Sequence, residues 1–454
     1  MAEISARKRI WGWFFFDWAS QPYNTLMLTF IFGPYFAQTA ATHFMAEGLT
    51  SDAASAQAQA LWGYGLTATG IIIAILAPIL GAVADSTGRL KPWIWIFSLL
   101  YVVGAFGTWW TAPETFSALW ALVFFGIGLI GMEFATIFTN SYLPTMGPRA
   151  ELGRISGSGW AWGYVGGVLA LIIMLMLFQA GDNGLTMAKM APVFGLDPDT
   201  GADTRIVGPF VAIWYVVFMI PFFLWVHDVP KTTASKISDG LRQLKRTISE
   251  LPRNPSLLAY LTSSMFYRDA LNGMYTFGGI YALGVLKWSI MEIGIFGIIA
   301  AISGAIFAWI GGYADRRFGP KPVIILCCIV LMFTAGLIIS LTPTSVFGFP
   351  VEPESSLPNT LFYVAGILIG AAGGAVQSAS RNMLTRQGNS ERMTEAFGLY
   401  ALSGKATSFL APALIAITTD ISGSQRLGAS PLIVLFAIGI VLLIWVKPNG
   451  DHAE

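Results

Sequence analysis

Twelve segments of the chain are apolar over about 20 residues, the length at which a helix crosses the hydrocarbon core of a bilayer. Lipid cannot hydrogen-bond to the backbone, so such segments fold as helices inside the membrane. The sequence therefore predicts an all-α membrane protein with twelve transmembrane helices, at approximately 10–38, 60–84, 92–112, 116–145, 155–180, 208–228, 256–286, 290–314, 322–342, 358–385, 394–420 and 428–447. Bent or mobile helices are expected where proline interrupts these segments, at Pro22, Pro34, Pro78, Pro144, Pro221 and Pro412.

The composition excludes the other broad classes of protein. Charged residues make up 11% of the 454 residues, whereas a soluble domain carries about 25%. A net charge of +1 offers no basic surface for nucleic acid, so no nucleic-acid partner is predicted. The adjacent cysteines Cys327 and Cys328 lie in an apolar run and are interpreted as packing residues. With all three histidines at or outside span ends, no metal site and no cofactor are predicted.

Lys and Arg residues concentrate in the loops on one side of the predicted membrane, including 81–91, 229–255 and 311–321. Cytosolic loops carry this excess, so both termini are predicted to lie in the cytosol. In the longest of these loops, 229–255, the apolar residues recur at helical spacing among basic ones, namely Ile237, Leu241, Leu244, Ile248 and Leu251. An amphipathic helix on the inner leaflet is predicted, and a solvated linker helix is the alternative.

Two of the basic loops share one pattern, in which Gly-x-x-x-Asp is followed by a further glycine and basic residues. The first loop runs from Gly81 to Lys91 and the second from Gly311 to Lys321. Such a repeat indicates an internal duplication of the chain.

The first and seventh spans also match each other. Asp17 and Tyr23 have the same spacing as Asp269 and Tyr275. The chain is therefore interpreted as two six-helix halves and a connecting linker, with boundaries 1–228, 229–255 and 256–454. Parallel halves of this kind suit a transporter that rocks about a central cavity.

The doubled loop pattern resembles the signature of the major facilitator superfamily. The segment 11–23, with Trp11, Asp17, Trp18 and Tyr23, is similar to the start of a narrower group, the bacterial permeases related to autophagy-related vacuolar effluxers. The resemblance implies two pseudo-symmetric six-helix bundles, alternating access, a monomer and a bacterial inner membrane. It also implies that the first, fourth, seventh and tenth helices line the cavity, and, for the vacuolar relatives, amino-acid release.

The paired loops supply the predicted gating residues, namely Asp85, Gly88, Arg89, Asp315, Arg316 and Gly319. A carboxylate at a helix end on this face can interact with the N-terminus of a neighbouring helix or with a basic side chain, at about 0.3–1 kcal/mol for each helix-dipole contact. A contact that forms in one conformation and breaks in the other biases the equilibrium between them. The glycines permit tight turns. Ordinary turn residues in basic loops are the alternative.

Away from their ends, the predicted spans contain three acidic and three basic residues. A charge at the bilayer centre costs about 2.5–3.5 kcal/mol, so these residues should face a wet cavity, the bundle interior or each other. The predicted proton-coupling residues are Asp17, the main candidate, with Glu133 and Asp269. The predicted substrate-binding residues are Tyr23, Asn24, Asn140, Arg268, Asn272, Tyr275, Gln377, Arg381 and Lys405. Static structural ion pairs are the alternative.

These patterns together predict a secondary active transporter and no enzyme. The solute is expected to be small and polar or zwitterionic, an amino acid or a relative, because groups of both signs suit a zwitterion; protons are the expected coupling ion. The run from Gly398 to Ala406 lacks the spacing and the Ser or Thr of a phosphate loop, so ATP is not expected to drive transport. A transporter of amphiphiles or lysolipids, or a receptor or assembly factor with the same fold, is the alternative.

Overall fold

Helices form almost all of the chain in the computed structural model, which describes residues 5–181, 183–228, 237–286, 288, 290–352, 355–422 and 424–451. The α-helices of the first half are α1 (Ala6–Pro22), α2 (Phe32–Ala46), α3 (Ser51–Thr87), α4 (Lys91–Gly107), α5 (Ala118–Asn140), α6 (Leu152–Leu177), α7 (Ala202–Arg205) and α8 (Val207–Trp225). A π-helical segment, Tyr23–Phe30, joins α1 to α2. Short 3-10 turns lie at Thr108–Trp110, Pro113–Thr115, Leu143–Thr145, Arg149–Glu151 and Val193–Gly195.

The linker contains α9 (Ile237–Glu250), followed by the helices of the second half. These are α10 (Pro255–Gly284), α11 (Ile290–Phe318), α12 (Pro320–Ser340), α13 (Leu357–Gln387), α14 (Met393–Ala406), α15 (Leu410–Ser422), α16 (Gln425–Gly428) and α17 (Pro431–Leu443), with 3-10 turns at Leu251–Arg253 and Ser390–Arg392. Between α12 and α13 lie three short strands, β1 (Leu341–Thr342), β2 (Ser345–Val346) and β3 (Phe349–Pro350). They form an antiparallel sheet in the order β1-β2-β3, in which Val346 pairs with both Leu341 and Phe349.

Within the described residues, ten helical segments are long and apolar enough to cross a membrane. They correspond to ten of the predicted spans. The other two predicted spans, 10–38 and 256–286, are helical as α1–α2 and α10, but they carry polar residues that include Asp17, Arg268 and Asp269. The prediction of an all-α membrane protein is confirmed, and the number twelve stays a prediction.

Two of the predicted spans are broken near a proline. In the predicted span 10–38, the π-helical segment begins directly after Pro22. The predicted span 394–420 consists of α14 and α15, and Pro412 lies in the first turn of α15. Proline has no N–H and its ring clashes with the carbonyl four residues earlier, which interrupts helical hydrogen bonding. By contrast, α3 continues through Pro78.

One compact unit, unit 1, consists of Met1–Leu76, Gly88–Thr139 and Trp162–Thr233. Its helices approach most closely at glycines: a Cβ on Gly104 of α4 would lie 2.4 Å from the Cα of Gly128 on α5. Small residues permit this packing, which helices in lipid need because apolar side chains gain little by leaving the acyl chains.

The other compact unit, unit 2, consists of Ala77–Thr87, Asn140–Ala161 and Ala234–Glu454. It therefore contains α9 to α17 together with the end of α3 and the first turns of α6. The halves 1–228 and 256–454 are inferred from repeats in the sequence, and this division stays a prediction.

Glycines also bring backbones together in unit 2. A Cβ on Gly374 of α13 would lie 2.5 Å from the carbonyl oxygen of Gly304 on α11. A Cβ on Gly157 of α6 would lie 2.6 Å from the Cα of Gly312 on α11. The start of α6 and the end of α11 are therefore in backbone contact, with no side chain between them.

The predicted linker helix is present as α9, and residues 229–236 of the linker lie outside the described residues. Its buried side includes Leu244, and a Cβ on Gly240 would lie 2.8 Å from the carbonyl oxygen of Ala82 at the end of α3. Leu241 and Ile248 are exposed. One side of α9 therefore packs on the protein, and contact of the other side with the inner leaflet stays a prediction.

Candidate functional site

The acidic residue of the first span lies where α1 meets α6 inside unit 1. Asp17 is half-buried. A Cβ on Gly163 of α6 would lie 3.2 Å from both the Cβ and the carbonyl oxygen of Asp17. This approach is tighter than most Cβ contacts in proteins, and glycine thus lets the backbone of α6 lie close to the turn that carries the carboxylate.

The second acidic candidate, Glu133, is half-buried on α5. Beside it, the Met132 sulfur accepts a long hydrogen bond of 3.9 Å from the Asn24 amide. Tyr23 is fully buried, and its hydroxyl donates to the Phe125 carbonyl at 2.6 Å. The π-helical segment therefore brings Asn24 to the neighbourhood of Glu133, whereas the Tyr23 hydroxyl takes part in packing against α5.

Arg381 on α13 is the centre of a polar cluster in unit 2, and its side chain is 4% exposed. Its Nε donates to Ser156 Oγ at 3.0 Å and its Nη2 to the Ser156 carbonyl at 2.7 Å. Its Nη1 donates to Asn140 Oδ1 at 3.1 Å. The guanidinium carbon lies 5.5 Å from the ring centroid of Trp160. The structure thus brings together two of the predicted residues, Arg381 and Asn140.

Tyr275 and Gln377 meet at the same glycine, about two turns of α13 before Arg381. A Cβ on Gly373 would lie 2.1 Å from the Tyr275 hydroxyl oxygen, and Gln377 Nε2 donates to the Gly373 carbonyl at 3.2 Å. Asn272, on α10, is exposed. Because Gln377 and Arg381 are four residues apart, they lie on one face of α13.

The adjacent residues Arg268 and Asp269 both contact the broken eleventh span. Asp269 is buried, and its Oδ2 accepts a hydrogen bond of 2.6 Å from the Ala411 amide in α15. Arg268 Nη1 donates to the Tyr400 carbonyl in α14 at 3.0 Å. Both residues reach span eleven because α10 lies against both of its helices, α14 and α15. Lys405 lies half-buried in the last turn of α14.

Asp85, the aspartate of the first repeated loop, lies against the beginning of α14. Asp85 Oδ2 accepts a hydrogen bond of 2.8 Å from the Glu395 amide, in the first turn of that helix. A Cβ on Gly81 would lie 2.6 Å from the Thr394 carbonyl oxygen, so the chains touch beside this bond. Glu395 also forms an ion pair with Arg392. We refer to this set as the Asp85 contact.

The second loop aspartate lies at the beginning of α6. Asp315 is fully buried and accepts hydrogen bonds of 2.9 and 3.0 Å from the Asn382 amide. A Cβ on Gly153 of α6 would lie 2.6 Å from the Asp315 carboxyl carbon. Arg316 pairs with Glu151, directly before α6, at 2.6 Å. This set, the Asp315 contact, repeats the Asp85 contact in the other half of the sequence.

The two loops also share an anchor that the sequence prediction did not include. Lys91 Nζ donates to the Phe223 carbonyl at 2.7 Å, and Lys321 Nζ donates to the Val446 carbonyl at 2.8 Å. Lys91 therefore binds the last turn of α8, and Lys321 binds the chain directly after α17. The repeated lysine was visible in the sequence, and its carbonyl partner was not.

The glycines in the loops adopt backbone conformations that other residues rarely adopt, with φ of +68° at Gly88 and +84° at Gly319. Arg89 is exposed in the same turn as Gly88. Within the described ranges there is no cluster of three or more His, Cys, Asp or Glu residues suited to a metal ion.

The family described as vacuole effluxer Atg22-like matches residues 5–452. The chain belongs to this family. A relative in Bacillus subtilis (strain 168), the uncharacterized MFS-type transporter YxiO, is 26% identical over 443 residues, which are 96% of this chain and 94% of the relative. Autophagy-related protein 22 of Coccidioides immitis (strain RS) is 24% identical over 323 residues, 66% of this chain and 50% of that protein. The chain thus matches about half the length of this fungal relative.

Solved transporters share the fold of this Atg22-like chain. The proton:xylose symporter XylE has a TM-score of 0.69 at 13% identity, covering 97% of this chain and 94% of that chain. The human organic anion transporter TETRAN has a TM-score of 0.71 at 14% identity, covering 97% and 100%. The chain is therefore an integral membrane transporter with the major facilitator fold, and not an enzyme.

Proposed function

We propose that the protein is a secondary active transporter that moves a small polar or zwitterionic organic solute, such as an amino acid, by alternating access. Charges of both signs support a zwitterionic solute: Asp17 and Glu133 suit an amine, and Arg381 suits a carboxylate, because a guanidinium donates two parallel hydrogen bonds to it. We propose further that the transporter works as a monomer in a bacterial inner membrane with both termini in the cytosol. The excess of Lys and Arg in one set of loops supports that orientation.

The observation that carries alternating access is the doubled aspartate contact. Asp85 binds the start of α14, and Asp315 lies against the start of α6. Each aspartate thus meets a helix from the other half of the sequence. A rocking motion would break both contacts together, on the face that we assign to the cytosol. At about 0.3–1 kcal/mol for each helix-dipole contact, they bias the two states without locking either one.

Proton coupling is assigned first to Asp17, with Glu133 and Asp269 as further candidates. The half-buried position of Asp17 between α1 and α6 supports this choice, because removal from water favours the neutral form of a carboxylate and allows it to cycle with changing surroundings.

Purified protein in vesicles with an imposed pH gradient tests the proposal. Labelled amino acids, organic acids and lysolipids are offered separately, and both uptake and release are followed. We expect gradient-dependent accumulation of an amino acid or a related zwitterion. Movement of lysolipid alone would favour an amphiphile transporter, and no movement of any class, with bound solute detected, would favour a receptor.

Asp17→Asn tests the coupling site in the same vesicles. We expect loss of pH-driven accumulation while exchange of solute across the membrane continues in part, because the neutral amide cannot bind or release a proton. Asp199→Asn is the matched control, because Asp199 is exposed in the loop before α7. This variant should accumulate solute normally. Full pH-driven accumulation in Asp17→Asn would refute the assignment.

A further inference from the structure

The eleventh predicted span is two helices, α14 and α15, and Pro412 explains the break. Proline has no N–H, and its ring clashes with the carbonyl oxygen four residues earlier, which belongs to Ser408. Thr407, directly after α14, has φ −112° and ψ 1°. Leu410 starts α15 with a tight turn, since its amide donates to the Thr407 carbonyl at 2.8 Å. The break leaves an amide end on α15 and a carbonyl end on α14.

Asp269 of α10 binds the amide end. The first amides of an α-helix have no acceptor within the helix. In α15, Pro412 has no amide to donate, and Ala413 donates to the Phe409 carbonyl at 3.0 Å. The Ala411 amide donates to Asp269 Oδ2 at 2.6 Å. Asp269 therefore supplies an acceptor from another helix and a negative charge at the positive end of the helix dipole.

Arg268 binds α14 and lies beside its last turn. Its Nη1 donates to the Tyr400 carbonyl at 3.0 Å, and its guanidinium carbon lies 4.0 Å from the centroid of the Tyr400 ring. A Cβ on Gly404, in the last turn of α14, would lie 2.7 Å from the same Nη1. Glycine at 404 therefore makes room for the guanidinium. A cation at the C-terminal end of a helix is favourable for the same reason that an anion is favourable at the start.

We propose that Arg268 and Asp269 are positioning residues that clamp the two halves of span eleven, and that residues 407–409 are a hinge between those halves. Adjacent residues of a helix point about 100° apart, which suits two ends of a broken helix better than one shared ligand. The clamp binds α14 through Arg268 and α15 through Asp269, and both bonds come from α10. Arg268 therefore acts on the hinge and not on the solute.

The clamp deepens the proposed function and rests on it, because α14 also carries the Asp85 contact. When that contact opens, α14 is the helix that moves, and the hinge determines how much of its motion α15 follows. The clamp is sensitive to loss of the Ala411 amide, because Asp269 Oδ1 is buried with no hydrogen-bond partner within the part of the chain that the structure describes. Loss of the Ala411 amide would leave the whole buried carboxylate unpaired, which is unfavourable.

Distances between spin labels test the clamp without any need for transport. Labels are attached at Phe333 on α12 and Ile421 on α15, both exposed, in protein whose Cys327 and Cys328 are replaced by Ser. We expect a narrow distance distribution for the parent protein. Asp269→Ala and Arg268→Gln should broaden it, because each releases one half of span eleven. Asp239→Asn and Arg317→Gln, at charged residues outside the clamp, are the controls and should leave it narrow.

Pro412→Ala provides a second variant that keeps both Arg268 and Asp269, should Asp269→Ala fail to fold. It restores an amide that can donate to the Ser408 carbonyl, so span eleven should straighten and the distance distribution should shift and narrow. Unchanged distributions in Asp269→Ala, Arg268→Gln and Pro412→Ala would overturn the clamp. Because no solute is added, this result is independent of whether the solute class has been assigned correctly.

Transport kinetics then separate a positioning residue from a solute ligand. Arg268→Gln should lower turnover by roughly tenfold, the size expected for loss of a favourable partly buried helix-end contact, while the Kd for the transported solute stays the same. A weakened Kd with unchanged turnover would overturn the positioning role and return Arg268 to the substrate site. Transport of no solute at all, with broadened distances in the variants, would refute the proposed function and leave the clamp standing.

Discussion

At the scale of single residues, Arg381 is the clearest case of a side chain whose shape matters as much as its charge. It is 4% exposed and donates three hydrogen bonds, two to Ser156 and one to Asn140. Burial of a charge is costly unless the group is hydrogen-bonded. A planar guanidinium reaches all three acceptors, whereas a lysine ammonium is a single point charge on a flexible stem.

Arg381→Lys should therefore destabilise the protein although it keeps the positive charge. Each hydrogen bond lost from a charged group costs about 1.5–3 kcal/mol, so the melting temperature in detergent should fall and the solute KM should rise. Arg317→Lys makes the same exchange at an exposed residue and should change neither. Equal melting temperatures in the two variants would contradict this account of Arg381.

At the scale of elements, the first turn of α14 is held by a charge from outside the helix. Asp85 accepts the Glu395 amide at 2.8 Å, and Asp315 lies in the corresponding position at α6. The sequence predicts that each loop carboxylate interacts with a helix N-terminus or a basic side chain, and the structure places Asp85 and Asp315 beside the starts of α14 and α6. Spacing in the sequence alone could not identify these helices, because Glu395 and Gly153 are distant in sequence from the aspartates and belong to no motif.

Asp85→Asn should loosen this contact by removing the charge and keeping the shape. The loss is about 0.3–1 kcal/mol. We expect faster labelling of Thr394→Cys by a membrane-impermeant maleimide, because position 394 is fully buried in the contact. Asp239→Asn on α9 serves as the control for removal of a nearby negative charge. A labelling rate unchanged by Asp85→Asn would contradict a conformational role for this residue.

The turn after the second aspartate depends on glycine. Gly319 has φ +84° and ψ 163°, a conformation that is essentially confined to glycine and costs other residues on the order of 1–3 kcal/mol. Gly319→Ala should therefore lower the melting temperature. Gly336→Ala is the matched control, since a Cβ on this residue of α12 meets nothing within 4 Å and alanine favours a helix by about 0.5–1 kcal/mol. The two exchanges should act in opposite directions.

At the scale of the whole molecule, the proposed alternating access requires the contacts around Arg381 to open in every cycle. Ser378 Oγ lies 3.4 Å from Ser156 Oγ, so cysteines at both positions are close enough for a disulfide. Oxidation of the Ser156→Cys, Ser378→Cys double variant should abolish transport, and reduction should restore it. Each single variant controls for the loss of one hydroxyl. Undiminished transport with the disulfide fully formed would contradict alternating access.

Much of the architecture follows from the sequence because apolar length and loop charge are properties of single segments. The exceptions are places where two distant segments act together. The sequence predicts roles in substrate binding and proton coupling for Arg268 and Asp269 because a charge inside a span is costly in lipid. Their bonds to α14 and α15 depend on a break beside Pro412 elsewhere in the chain. Ser156 gave no signal at all, since a lone serine on an apolar helix is ordinary until Arg381 is known to lie against it.

Gly157 and Gly312 lie where the backbones of α6 and α11 are in contact. With a Cβ at position 157 only 2.6 Å from the opposite Cα, a single methyl group would act as a wedge between α6 and α11. In the proposed cycle, the equilibrium between the two states would then change with the addition of one carbon atom, while every ionisable side chain stays the same. An exchange at either position would thus alter how long the transporter dwells in each state of this proposed cycle without altering what it carries.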